Sequence, residues 1–243
     1  MTEPGHTPER KENIFLNLGL NIIIPTIILV KFSGEQHLGP QWGIVVALAF
    51  PILYGFYDFT QARKINYFSV LGVLSIMLTG GISLLKLDPK YIAIKEATIP
   101  ALFGIATLVS LKTPYPLVKT LLYNHKIMQV DRVAEALRQK NNERNFEKTL
   151  MRASCVIAGS FFLSSALNYI LAKVLLVSPP GTEAYNAELG KMTALSLPVI
   201  TVPAMLMFFV ALYYLFRSIQ QLTQLSLDDI LVDQNAPKNG PES

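Results

Sequence analysis

Long apolar runs broken by short polar turns organise the whole chain. The runs fall at Asn13 to Phe32, Gln41 to Asp58, Ile65 to Leu85, Tyr91 to Leu111, Leu150 to Val177 and Lys191 to Arg217. Each is long enough, at about 1.5 Å per helical residue, to approach the ~30 Å of a bilayer's hydrocarbon core. The pattern predicts an all-α, polytopic membrane protein, a bundle of six transmembrane helices over residues 13–217. Between the fourth and fifth runs lies a cytoplasmic amphipathic insertion, 112–148. In its first part Tyr115, Leu117, Val118, Leu121 and Leu122 alternate with Lys112, Lys119 and His125, which suits a helix lying on the membrane surface. In its second part Val130, Val133, Ala134 and Leu137 keep a helical period among charges, predicting a short surface helix. Residues 1–12 are polar, carry Pro4, Gly5 and Pro8, and are expected to be disordered. They are not expected to form a cleaved signal peptide, because Asn17, Asn21 and Pro25 interrupt the apolar run that follows. Residues 218–243 read as a C-terminal tail, frayed from Ser226 onward.

Polar residues inside the runs are the candidates for function. Asn13, Asn17 and Asn21 recur every four residues and share one helix face, which should point into the bundle because carboxamides in hydrocarbon need partners. Lys95 and Glu96 enter the fourth run about one turn from its outer end. The fifth carries Ser160, Ser164, Ser165, Asn168 and Lys173, and Lys191 opens the sixth. Lys95, Glu96, Asn168, Lys173, Lys191, Asn17 and Asn21 make up the candidate polar or binding cluster. Snorkelling and structural ion pairing account for the lysines more readily than ligand binding does. Glu96 needs a partner, since an unpaired carboxylate is costly there. Lys95 points roughly 100° away around the helix, so Lys191, and after it Lys173, is the expected partner.

The even-numbered runs each hold a central proline, Pro51, Pro100 and Pro198, and a glycine follows the first two at Gly55 and Gly104. Aligned on these prolines, the chain reads as three parallel helical hairpins, an internal symmetry known from transporter folds. Each proline removes a backbone donor and should bend its helix or loosen its hydrogen bonding near Ala47, Glu96 and Ala194.

Charge sets the orientation. Of 21 Lys and Arg residues, fifteen fall in the N-terminus, the second turn, the 112–152 segment and the C-terminal end, and six in the other turns and helix ends. With an even number of spans, both termini are expected in the cytoplasm. The 112–152 segment interleaves Asp131, Glu135, Glu143 and Glu147 and lacks stacked aromatics, which argues against a nucleic-acid partner. The one cysteine, Cys155, excludes an intrachain disulfide and any multi-cysteine metal site. No nucleophile-elbow, zinc-protease, Walker or dinucleotide motif occurs, and His6, His37 and His125 are far apart. No catalytic residue, metal site or cofactor is expected, and the chain does not read as an enzyme.

Gly80-Gly81, Lys95 with Ala101-Leu102-Phe103, Pro116-Leu117-Val118, Asn168-Tyr169 and Lys191 together resemble the intracellular septation protein A family of bacterial inner-membrane proteins. The 112–148 segment is longer than that family's, and Pro100 and Pro198 lie outside its pattern, which points to a related branch. The resemblance implies a multi-pass protein of the bacterial cytoplasmic membrane with a non-catalytic role in envelope maintenance or septation, acting through membrane or cytoplasmic protein partners. It brings no site residues and leaves the oligomeric state open. The alternative, drawn from the kinked repeat and the polar stripes, is a small-molecule or ion transporter or channel. A cavity lined by Asn17, Asn21, Glu96 and Asn168 would favour transport, and a tightly packed polar core would favour the scaffold.

Overall fold

The computed structural model describes residues 18–62, 67–123, 125 and 127–232. Among these residues it is all-helical. A π-helical segment, π1 (Gly19–Ile23), leads into α1 (Ile24–Lys31); α2 (Gly39–Ala62), α3 (Tyr67–Leu84) and α4 (Lys90–Ser110) follow. Next come the short α5 (Leu117–Leu122) and α6 (Val130–Gln139), then the long α7 (Glu143–Leu175). The chain continues through α8 (Glu183–Ser196), a second π segment, π2 (Leu197–Thr201), α9 (Val202–Thr223) and α10 (Leu227–Ile230). Four helical stretches among the described residues are long and apolar enough to cross a membrane: Gly39–Tyr57, Lys90–Ser110, Glu143–Leu175 and Glu183–Thr223. Gly19–Lys31 and Leu71–Leu84 are apolar but shorter, roughly 20 Å each at about 1.5 Å per residue. The sequence count of six spans therefore stands at four by this measure. Asn13, Asn17, the 1–12 segment and residues 233–243 lie outside the described residues.

Several boundaries differ from the sequence reading because charged residues do not by themselves end a helix. The last run begins at Glu183, eight residues before Lys191, because the Thr182 hydroxyl accepts the Tyr185 N–H at 3.2 Å and an acidic residue opens the first turn. Residues 143–149, four of them charged, belong to α7; α6 stops at Gln139, and the left-handed Asn141 (φ 52) lies between the two helices. The tail is ordered through Val232. Gln224 (φ 60) ends α9, and Ser226 with Asp229 forms a capping box that starts α10.

The three central prolines behave differently. α2 and α4 run unbroken through Pro51 and Pro100, whereas Pro198 lies in π2. Each π segment is followed by an α-helix with proline in its first turn, Pro25 in α1 and Pro203 in α9. A π turn bonds five residues back rather than four, so local widening of the ladder stands where a proline would otherwise clash with a carbonyl.

The chain divides into two compact units, Met1–Glu96 with Asn168–Leu197, and Ala97–Leu167 with Pro198–Ser243. In the first unit α1 packs on α8 and α2, and α2 packs on α3. Its core gathers Leu29, Ile44, Ala47, Ile92, Ala93, Ala172, Leu176, Tyr185, Leu189 and Met192. The α1–α8 contact is close because Gly190 has no side chain: a Cβ there would lie 2.9 Å from Val30 Cγ2 and 3.2 Å from the Thr26 carbonyl. The turn between α7 and α8 is closed by Glu188, whose carboxylate accepts from Val177 N–H (3.0 Å), Ser178 N–H (2.9 Å) and Ser178 Oγ (2.6 Å).

The second unit has an apolar core of Met128, Val133, Leu137, Phe146, Leu150, Ala153, Leu215, Ile219 and Ile230. A smaller cluster joins Val118, Ile157 and Ala211. The C-terminal segment docks onto this core. Gln129 N–H donates to the Ile230 carbonyl (2.8 Å), Val232 N–H to that of Ile127 (3.1 Å), and Arg132 pairs with Asp229 at 3.0 Å. Outward-facing Leu53, Met77, Val174, Leu206 and Val210, each at least 60% exposed, suit a lipid environment.

Candidate functional site

α3 carries Ser75, Thr79 and Ser83 at intervals of four, which places three hydroxyls on one face of an otherwise apolar helix. Ser83 meets the hydroxyl of buried Tyr185 at 3.2 Å. Ser75 and Thr79 face Lys95 instead. The Lys95 ammonium donates to Thr79 Oγ1 (2.7 Å), Ser75 Oγ (3.0 Å) and the Ser75 carbonyl (3.2 Å), and pairs with Glu96 Oε1 at 2.7 Å. The Lys95 side chain is 10% exposed and that of Glu96 28%. Thr79 in turn donates to the Ser75 carbonyl at 3.1 Å, which orients its lone pairs toward the ammonium.

This cluster opens onto a cavity of about 390 Å³ within the first unit. π1 contributes Asn21, α2 contributes Pro51 and Tyr54, and α8 contributes Leu189, Met192 and Thr193. Most of the remaining wall is aliphatic. Among the described residues, the Lys95–Glu96 pair supplies the charge in a space otherwise lined by apolar groups, hydroxyls and the Asn21 carboxamide. A second hollow is lined by Lys31, Glu35, His37, Thr182 and Glu183 among others, from the end of α1, the turn after it and the start of α8. No group of three or more His, Cys, Asp or Glu suited to a metal ion occurs among the described residues.

Of the sequence candidates, the structure brings together Lys95, Glu96 and Asn21. Asn168 is half-buried and does not line the cavity, and Asn17 lies outside the described residues. Lys173 and Lys191 are exposed, and neither pairs with Glu96. The expected Glu96–Lys191 pair is thus corrected to Glu96–Lys95. Neighbours on a helix diverge by about 100° at Cβ, but the flexible lysine stem brings its ammonium back to the Glu96 carboxylate while reaching across to α3. The residues missed were Ser75, Thr79, Tyr54 and Thr193. The four-residue spacing from Ser75 to Ser83 is the signal that would have found the first two.

No protein-family model matches this chain, and no curated protein or solved structure matches it. The chemistry of the site therefore rests on its own residues.

Proposed function

We propose that this chain is a multi-pass membrane protein that binds a small solute in the Lys95–Glu96 cavity and passes it across the bilayer. The observation that carries this reading is an ammonium–carboxylate pair opening onto a cavity among apolar helices. A charge withdrawn from water costs several kcal/mol, and stability alone gives little reason to keep one, because apolar replacement of a buried pair is often neutral or stabilising. Ionisable side chains within membrane helices mark solute pathways for the same reason. Under this reading the shorter helices of the first unit complete a set of six spans in a bacterial inner membrane. The Lys and Arg distribution supports both termini in the cytoplasm.

A second reading, a role in envelope upkeep or septation through a protein partner, draws support from the outward face of α6. There Asp131, Arg132, Glu135 and Arg138 are exposed while Val133 and Leu137 are buried.

The test of the first reading is access from water. Thr193→Cys, made in a Cys155→Ser background and held in membrane vesicles, should react with a charged, membrane-impermeant methanethiosulfonate. If the introduced thiol stays unmodified from both sides of the membrane, the solute pathway is removed.

A further inference from the structure

We infer that the cavity takes a small organic cation bearing ammonium hydrogens, and that Lys95 is a tethered competitor which such a ligand displaces from Glu96. This rests on the reading of the cavity as a solute site and specifies its substrate class. An ammonium carries three hydrogens, and four oxygens from Ser75, Thr79 and Glu96 surround Lys95 Nζ within 3.2 Å. No hydrogen is left for an incoming anion. Glu96 is the opposite case: a carboxylate accepts in about four places, and Lys95 engages it through Oε1 while over a quarter of the side chain stays exposed. The site as built has acceptors to spare, and its cationic donor is already occupied.

The ligand's body is set by the walls. Leu48, Pro51, Val73, Ile76, Leu189 and Met192 line the space and suit a hydrocarbon or aromatic group. Charge balance sets the rest. Glu96 carries one negative charge, so an ammonium that takes it competes with Lys95 for that charge, and the occupied site carries one positive charge in excess. The displaced Lys95 keeps the Ser75 and Thr79 oxygens, so it is not stranded without partners. Binding is therefore an exchange of one ammonium for another on a single carboxylate, and removing the resident one should help the visitor.

The experiment is calorimetry on the full chain in lipid nanodiscs, with phenethylammonium and phenylpropionate as probes of matched size and opposite charge. The wild-type protein should bind the amine and not the acid. Glu96→Gln should weaken amine binding by at least about tenfold, the scale of one charge-assisted hydrogen bond. Lys95→Gln, which keeps a donor toward Thr79 but removes the competing charge, should tighten it by a similar factor. Binding of the acid in place of the amine, or loss of amine binding in Lys95→Gln, would overturn the inference by making Lys95 the ligand-binding group. If the variants do not fold, the wild-type comparison decides, and a wild type that binds neither probe also overturns it. Failure here is separable from failure of the solute-site reading. Thiol labelling of the Thr193→Cys protein without amine binding sinks the cation alone, and absence of labelling sinks the site.

Discussion

The two units spend their buried polar groups differently. In the first, polar side chains reach across the fold: Lys95 to Ser75 and Thr79, Ser83 to Tyr185, Asn186 to the Pro40 carbonyl at 2.7 Å, Thr26 to the Gly190 carbonyl at 3.5 Å. In the second, hydroxyls within the apolar helices return to carbonyls of their own helix. Thr107 donates to Phe103, Ser154 to Leu150, Ser160 to Ile157 and Thr223 to Ile219, all at 2.7–2.8 Å. Ser165, donating to the Ala97 carbonyl at 2.8 Å, is an exception. A hydroxyl that bonds its own helix is satisfied but specifies no neighbour. One that reaches another helix fixes register and depth. Local bonds occur in the first unit too, as from Thr193 to the Leu189 carbonyl, but its contacts across the fold include the Lys95 cluster that lines the hollow, whereas the second unit's core is mainly apolar.

The contrast can be broken most forcefully at Phe146, which is buried in the second unit's core with its ring 5.1 Å from that of Tyr123. Phe146→Ala should cost about 3–5 kcal/mol, the usual penalty for emptying an aromatic site, read by denaturant or SDS titration of the detergent-folded protein. A loss below about 1 kcal/mol, less than a typical core truncation, would mean that packing is not what holds this unit together.

Next in size is a matched pair of hydroxyl deletions. Thr79→Val removes a bond to a charged ammonium and should cost about 1.5–3 kcal/mol, whereas Ser154→Ala removes a neutral bond within one helix and should cost about 0.5–1.5 kcal/mol or less. Equal losses in the same titration would erase the distinction between bonds across the fold and local ones.

The smallest effect concerns pH and the docked C-terminal segment. The Asp229 carboxyl is held below its ordinary value of 3.8, chiefly by the Ser226 hydroxyl, then by the Ser226 N–H, with the Arg132 guanidinium adding to it. Because folding depresses this pKa, its stabilising contribution is complete above the unfolded value and is lost as pH falls through the lower folded one. Amide protection at Gln129 and Val232, corrected for intrinsic exchange, should therefore drop between about pH 5 and about pH 3. Protection that holds across that range would separate the segment's docking from its cap.

Much of this was legible in the chain. Apolar length located α2, α4 and the body of α7, and amphipathic spacing located α5 and α6. What apolar length misses is helix that extends beyond the apolar run, as at Glu143 and at Glu183, where the Thr182 cap sets the end. The π segments were illegible because proline reports a missing donor but not which way the ladder relaxes. At the site, Lys95, Glu96 and Asn21 stood out as polar residues in apolar runs. The pairing did not, because backbone angles describe where Cβ points and say little about where a four-carbon stem delivers its charge.

The Glu188 clamp bears on how the protein is made. Every group that closes the turn after α7, from Val177 through Thr182 to Glu188, comes from one short stretch of chain. A nascent polypeptide halted just after Leu197 already contains all of them. The turn needs nothing that is synthesised later, so its closure does not wait for α9 or the C-terminal segment.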